Sequence, residues 1–243
     1  MNKILSLVLL MSSTFVFAQA TDDNEVMITQ SGDTFKLYID QIGFGNKIGL
    51  NNYSSGSGAN MTITGTTLDI NIDMIGNQNL LFGPVVADSS DYDLILTGDS
   101  NSIDWNIGDT GSADDSSIQF AITGDSNTFD LDQGFAFSAE RLNADLVLVG
   151  NSNVFDVDWE SDDLVWNFDI TGDSNNINTL QKDGEQELNF ELTGDSADVD
   201  INQISGTCVG GSPCATPNAH ITLDITSDNS VIQINQKDAS NDS

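Results

Sequence analysis

"LTGDSNSIDWNI", residues 96–107, returns in altered form as "ITGDSNTFDLDQ" (122–133), "LVGNSNVFDVDW" (148–159), "ITGDSNNINTLQ" (170–181) and "LTGDSADVDINQ" (192–203). In each copy an alternating apolar pattern runs into a Gly-Asp-Ser-Asn-like corner and resumes beyond it. Gly, Asp, Ser and Asn are residues of tight turns, and alternation with period two marks a strand with one buried face. A strand–corner–strand unit that recurs along a chain points to a solenoid more readily than to a chemical site copied several times.

The corners fall at Gly32, Gly65, Gly98, Gly124, Gly150, Gly172 and Gly194, with Ser227 in the equivalent place, giving spacings of 33, 33, 26, 26, 22, 22 and 33. Eleven residues after each, a second corner is predicted at Gly43, Gly76, Asp109, Phe135, Ser161, Asp183, Ser205 and Asp238, most of them turn-formers or next to one. Each unit then has two arms of about eleven residues, and every insertion falls after the second corner. The expected fold is all-β: a β-solenoid of about eight strand–turn–strand rungs forming two stacked parallel sheets, rungs about 4.8 Å and sheets about 10 Å apart. Inward positions two apart include Trp166, Phe168 and Ile170 before a corner and Ile103, Trp105 and Ile107 after one. Trp105, Trp159 and Trp166 are therefore core residues.

Lys3, the apolar run Ile4 to Ala18 and the small-x-small Ala18-Gln19-Ala20 predict a signal peptide over 1–20. The run is about fifteen residues, short of the ~20 that span a bilayer, so membrane insertion is not expected. The remainder, 21–243, reads as a single solenoid domain with loops at about 49–58, 82–90 and 206–218, secreted to the exterior or the cell surface. Its 38 acidic residues against 6 basic ones, a net charge of −32, repel nucleic acid and anionic lipid. Cys208 and Cys214 in "TCVGGSPC" predict one local disulfide in an oxidising compartment; with His220 the single histidine, a metal site lacks ligands.

Two polar columns are predicted inside the apolar slab. Gln41, Gln133, Gln181, Gln203 and Gln236 take the last inward place of the second arm, and Asn46, Asn79, Asn101, Asn127, Asn153 and Asn175 lie three residues after a corner. A buried amide must be hydrogen-bonded, and a column of identical amides satisfies itself from rung to rung.

At "QIGFGN" (Gln41 to Asn46) the pattern Gln-x-Gly-x-x-Asn on a 22-residue strand–turn–strand period resembles the curlins, the subunits of curli amyloid fibres in bacterial biofilm matrix. "QSGDTF" (Gln30 to Phe35) keeps the first half of that motif, and Gly76 to Asn79, Gly98 to Asn101, Gly124 to Asn127 and Gly172 to Asn175 keep Gly-x-x-Asn. The resemblance implies a secreted subunit that assembles end to end into an amyloid homopolymer for adhesion and cell aggregation. It further implies that the matched Gln and Asn are ladder residues, and that a fibre nucleator and a curli-type secretion pore are partners. The chain departs from it in the first arm, where Ile63, Leu96, Ile122, Leu148, Ile170, Leu192 and Ile225 replace Gln. Independently, "KDASNDS" after Gln236 is too short for a capping helix, and an uncapped solenoid exposes unpaired backbone at its ends.

The alternative is a monomeric calcium-binding β-roll or adhesin. Asp104, Asp130 and Asp156 stand outward one rung apart and are the calcium candidates, joined by corner residues Asp33, Asp99, Asp125, Asp173 and Asp195. The glycine-rich nonapeptide of calcium β-rolls is missing, so the acidic face reads as a solvated coat and no cofactor is assigned. A flat ice- or glycan-binding face needs an outward Thr or aromatic ladder, whereas the outward columns read as Asp and Asn. No Ser/His/Asp or Cys/His set is credible with one histidine, and an enzyme is not expected.

Overall fold

The computed structural model describes residues 25–26, 28–43, 46–48, 61–76, 80–87, 89–98, 102–107, 114–133, 141–161, 163–182, 184–205, 207–208, 212–213 and 219–238. The expected leader (1–20), the loop at 49–58, Asn79, Asn101 and Cys214 lie outside the described residues. The regular elements among them are all strands. In chain order they are β1 (Glu25–Val26), β2 (Ile28–Ser31), β3 (Thr34–Ile42), β4 (Lys47–Ile48), β5 (Met61–Gly65), β6 (Thr67–Ile75) and β7 (Leu80–Ala87). There follow β8 (Ser90–Thr97), β9 (Ser102–Ile107), β10 (Ser116–Thr123), β11 (Thr128–Gln133), β12 (Leu142–Val149), β13 (Val154–Glu160) and β14 (Asp163–Thr171). The last are β15 (Asn176–Lys182), β16 (Glu185–Thr193), β17 (Asp198–Ser205), β18 (Thr207–Cys208), β19 (Ser212–Pro213), β20 (Ala219–Thr226) and β21 (Val231–Asp238).

Two parallel sheets make the β-solenoid. One runs β3-β6-β8-β10-β12-β14-β16-β20; the other runs β7-β9-β11-β13-β15-β17-β21, extended at its first end by β4 and β5 and then by β1 and β2. The chain passes from one sheet to the other at every corner, so each strand stacks in register on the strand about two arms away. Ile118, for example, pairs with Tyr92 on one side and Ala144 on the other. The expected eight rungs correspond to eight strands in the first sheet and nine levels in the second.

Alternation puts every second side chain between the sheets, as in β16, where Gln186, Leu188, Phe190 and Leu192 are buried and their neighbours are not. Trp105, Trp159 and Trp166 are at most 1% exposed, as expected. Aromatic side chains zigzag through this core: Tyr92 to Trp105 (5.2 Å), Trp105 to Phe120 (5.9 Å), Phe120 to Phe129 (5.3 Å) and Phe129 to Phe155 (4.8 Å). Such pairs contribute about 0.5–1.5 kcal/mol each beyond their buried area. Burial also pushes the Tyr92 phenol well above its ordinary range.

The phase of the first two units differs from the sequence reading. Gly32 and Gly65 stack on each other, but it is Gly43 and Gly76 that continue into Gly98: the Gly43 N–H donates to the Ile75 carbonyl and the Gly76 N–H to the Thr97 carbonyl. Correspondingly β3 and β6, expected to stack with the second arms, join the sheet of the first arms: β3 pairs with β6, and β6 with the first arm β8. The step of 33 from Gly65 to Gly98 is three arms, which moves the corner to the other edge. The predicted loop at 82–90 is therefore mostly strand β7, the corner residue Ser89 and the first residue of β8. The loop at 206–218 contains a short antiparallel pair, β18 with β19, that sets Cys208 opposite Ser212.

Candidate functional site: ladders and end rungs

Each letter of the repeated tetrad has a separate place in the stacked corner. The glycines of the column have φ between 133° and 149°, which side chains rarely adopt. At Gly172 a Cβ would also lie 2.1 Å from the Gly150 carbonyl oxygen. The following Asp or Asn side chain accepts a hydrogen bond from the backbone of the next rung: Asp125 from Asn151 N–H, Asn151 from Asp173 N–H, Asp173 from Asp195 N–H, Asp195 from Asp228 N–H. Ser126, Ser152, Ser174 and Ser196 sit in the left-handed region, φ 59–64°, and the first three donate their N–H groups to the carbonyls of Asn151, Asp173 and Asp195.

The final Asn turns inward. Asn153 Oδ1 accepts from both the backbone N–H (2.8 Å) and Nδ2 (3.0 Å) of Asn127, and Asn175 Oδ1 does the same for Asn153 (3.0 and 3.1 Å). Asn127 and Asn175 also donate to the carbonyls of Gly124 and Gly172. All three are at most 2% exposed, as is Asn46, whose Nδ2 reaches the Gln41 carbonyl at 3.0 Å. The column changes chemistry toward its last rung. Ala197 replaces Asn, and the Ser230 hydroxyl accepts its N–H.

The glutamine column forms at one end only. Gln203 Nε2 donates to Gln181 Oε1 at 3.1 Å, and Gln236 Nε2 to Gln203 Oε1 at 2.9 Å. Gln133 is separated from them by Trp159 and faces Ile107 on its other side; among the described residues neither of its amide atoms has a hydrogen-bond partner. Gln41 does not belong to this column, because the shift in phase places it beside Met74, which in turn faces Leu96. Gln30 does belong, followed by Ile63, Val85 and Ile107 before Gln133.

Outward, strands in register stack like charges. Asp104, Asp130 and Asp156 form one column, and Asp132 beside Asp158 a second. Partial burial and then repulsion from Asp130 and Asp158 hold the Asp132 carboxyl up at about 6. Asp104, Asp130 and Asp158 move in the same direction, with desolvation the leading cause. Among the described residues no group of three or more His, Cys, Asp or Glu side chains is arranged to hold a metal ion.

One column was missed from sequence. The residue just before the corner is exposed on all eight strands of the first sheet and reads Ile42, Ile75, Thr97, Thr123, Val149, Thr171, Thr193 and Thr226. Every one is β-branched and none is charged. The expectation that outward columns are only Asp and Asn is therefore corrected: counting forward from the corner passed over the residue behind it. β-branched side chains suit an exposed pleated surface and pair well across strands.

The two ends of the slab differ from its middle. Phe35, Leu37 and Ile39 on β3, and Ile221, Leu223 and Ile225 on β20, occupy inward positions yet are only partly buried, while Phe120 and Phe168 at equivalent places are at most 2% exposed. Ile234 on β21 is 45% exposed. Among the described residues no strand pairs with the outer edge of β3, β20 or β21. Comparison of the chain with protein-family models, with curated proteins and with solved structures finds no match in any of the three.

Proposed function

We propose that the chain is a secreted, curlin-like subunit that assembles end to end into extracellular amyloid fibres of a surface or biofilm matrix. The observation that carries this reading is the pair of ends: among the described residues no strand pairs with the outer side of β3 at one or of β20 and β21 at the other, and the apolar face at each is half-covered. A second copy satisfies both needs at once, since added strands supply hydrogen bonds to the edge and side chains to the core. The Asn and Gln ladders support it by making each rung specify the next. Under this reading a fibre nucleator and a curli-type secretion pore are the partners, and adhesion and cell aggregation the purpose.

Calcium binding draws no comparable support, because corner side chains Asp125, Asp173 and Asp195 already accept backbone N–H groups of the next rung. The test is direct. The purified chain, incubated across salt concentrations with and without seeds, should yield thioflavin-positive filaments with a meridional reflection near 4.8 Å. Persistent monomers under all those conditions would overturn the proposal.

A further inference from the structure

The two sheets do not hold the same number of levels. Counted along the stack, the first sheet has eight strands, β3 to β20, and the second has nine levels, from the short pair β1 and β2 up to β21. The sheets are staggered: Gln203 Nε2 on β17 reaches the carbonyls of both Gln186 on β16 and His220 on β20, so each second-sheet strand lies between two first-sheet strands, and β21 lies beyond β20. β1 and β2 likewise stack before β4 and β5 and precede β3, so the second sheet ends the stack on both sides and has one level more than the first, a step of one level per subunit.

An end-to-end junction has to resolve that step. If β1 and β2 of one copy sat on β21 of another, the first sheet would lack one strand at every junction. The facing edges of β20 and β3 would then both remain unpaired, with Ile221, Leu223, Phe35 and Leu37 lining the gap. If β1 and β2 instead leave, β3 stacks on β20 while β4 and β5 stack on β21, and both sheets continue without a break. The exchange favours departure. β1 and β2 hold only two and four register pairs, whereas β16 with β20 and β17 with β21 each hold eight.

Resting on the fibre reading above, we propose that β1 and β2 are removable strands that cover the β4 and β5 edge of the free subunit, and that a second copy of this chain displaces them. Continuing the existing columns fixes the register of the joint. Ile225 falls beside Gln41, Leu223 beside Ile39 and Ile221 beside Leu37; Ile232 falls beside Ile48 and Gln236 beside Ile63. Displacement conserves the pairing partners of β4 and β5, so the net gain is a new ladder between β20 and β3.

Hydrogen exchange on the full chain, free and as fibres, tests this. Residues 34–42 and 219–226 should gain protection on assembly while residues 25–31 lose what they have; gain of protection at 25–31 overturns the proposal. A chain lacking residues 25–31 should elongate wild-type seeds about tenfold faster, equivalent to about 1.4 kcal/mol removed from the barrier. Unchanged or slower elongation counts against it. Absence of fibres from both chains would remove the fibre reading and this inference together, whereas full-chain fibres in which Glu25–Val26 and Ile28–Ser31 are protected would remove this inference alone.

Discussion

At the edge that turns through Gly124, Gly150, Gly172 and Gly194, the chain repeats the same backbone conformation rung after rung, with the glycine and the serine both at positive φ. The opposite edge turns through Ser161 at one rung, Gly184 (φ 32°) at the next and a small antiparallel hairpin at another. Both edges reverse the chain between the same two sheets. The difference is that at the first edge consecutive turns lie directly on one another and exchange hydrogen bonds, so each constrains its neighbour. At the second, the described residues form fewer such bonds, among them Ser89 N–H to the Asp114 carbonyl and Ser161 N–H to the Lys182 carbonyl, and chain can be added outward. Sequence uniformity thus follows contact between turns rather than the act of turning.

The sharpest way to break that comparison is Gly172→Ala. The added methyl would meet the Gly150 carbonyl oxygen, and the φ of 138° is strained for alanine, so a loss of about 3 kcal/mol or more is expected. At the other edge Gly184→Asn keeps a residue that tolerates the left-handed region and should cost below about 1 kcal/mol. Urea denaturation of the two variants measures the contrast; equal losses would mean that stacking of the turns is not what fixes the glycine.

Next in size is Asn153→Ala. It removes the acceptor for both the N–H and Nδ2 of buried Asn127, and an orphaned buried donor costs about 1–3 kcal/mol. Ser161→Ala at the opposite edge loses one 3.2 Å bond to the Asp163 carbonyl, a change of about 0.5–1.5 kcal/mol. Thermal melts of both chains should rank them in that order.

These contrasts also explain what could be read from the chain without its structure. Alternation located Trp105, Phe129, Phe168 and the other inward side chains, because burial on one face of a strand leaves no other choice of position. The Asn column was legible for the same reason, being tied to the glycine three residues earlier. The phase of the first two units was not. An arm is about eleven residues, the same length as the longer insertions, so spacing alone cannot separate a strand from a loop. Gly83-Pro84 inside β7 reads as a breaker where the chain in fact continues as a strand. Likewise "SGDT" at 31–34 looks more like the repeated corner than "GFGN" at 43–46 does, yet it is Gly43 that stacks in that column. Register is set by which carbonyl each N–H reaches, a property of the stacked chain.

Regular stacking also has a cost where a column is charged. The Asp132 carboxyl, held near 6 against an ordinary value of 3.8, binds its proton more tightly folded than unfolded. Stability should therefore be highest on the acid side of that window and fall as pH rises from about 4 through about 6. Asp132→Asn should raise stability at pH 7 by on the order of 1 kcal/mol, after allowing for solvent screening of a partly exposed group, and leave it nearly unchanged at pH 4. Denaturation midpoints at the two pH values decide this; a gain at pH 4 as large as at pH 7 would assign the effect to packing instead.

The smallest effect is expected from adding chain at the tolerant edge. Four Gly and Ser residues inserted after Lys182 lengthen a turn beyond its described bonds to the preceding rung, those of Lys182 to Ser161 and Glu160, and loop closure grows so slowly with length that the loss should stay within about 0.6 kcal/mol. The molecule already carries the equivalent change, since the steps from Gly98 to Gly124 and from Gly124 to Gly150 are four residues longer than those that follow. The same four residues placed between Ser174 and Asn175 would pull Asn175 out of register with Asn153 and separate Gly172 from its stack. That second insertion should cost several times more, or prevent folding. A urea midpoint shifted equally by the two insertions would show that both edges constrain the chain alike, and that the uniform corner owes its sequence to something other than contact between rungs.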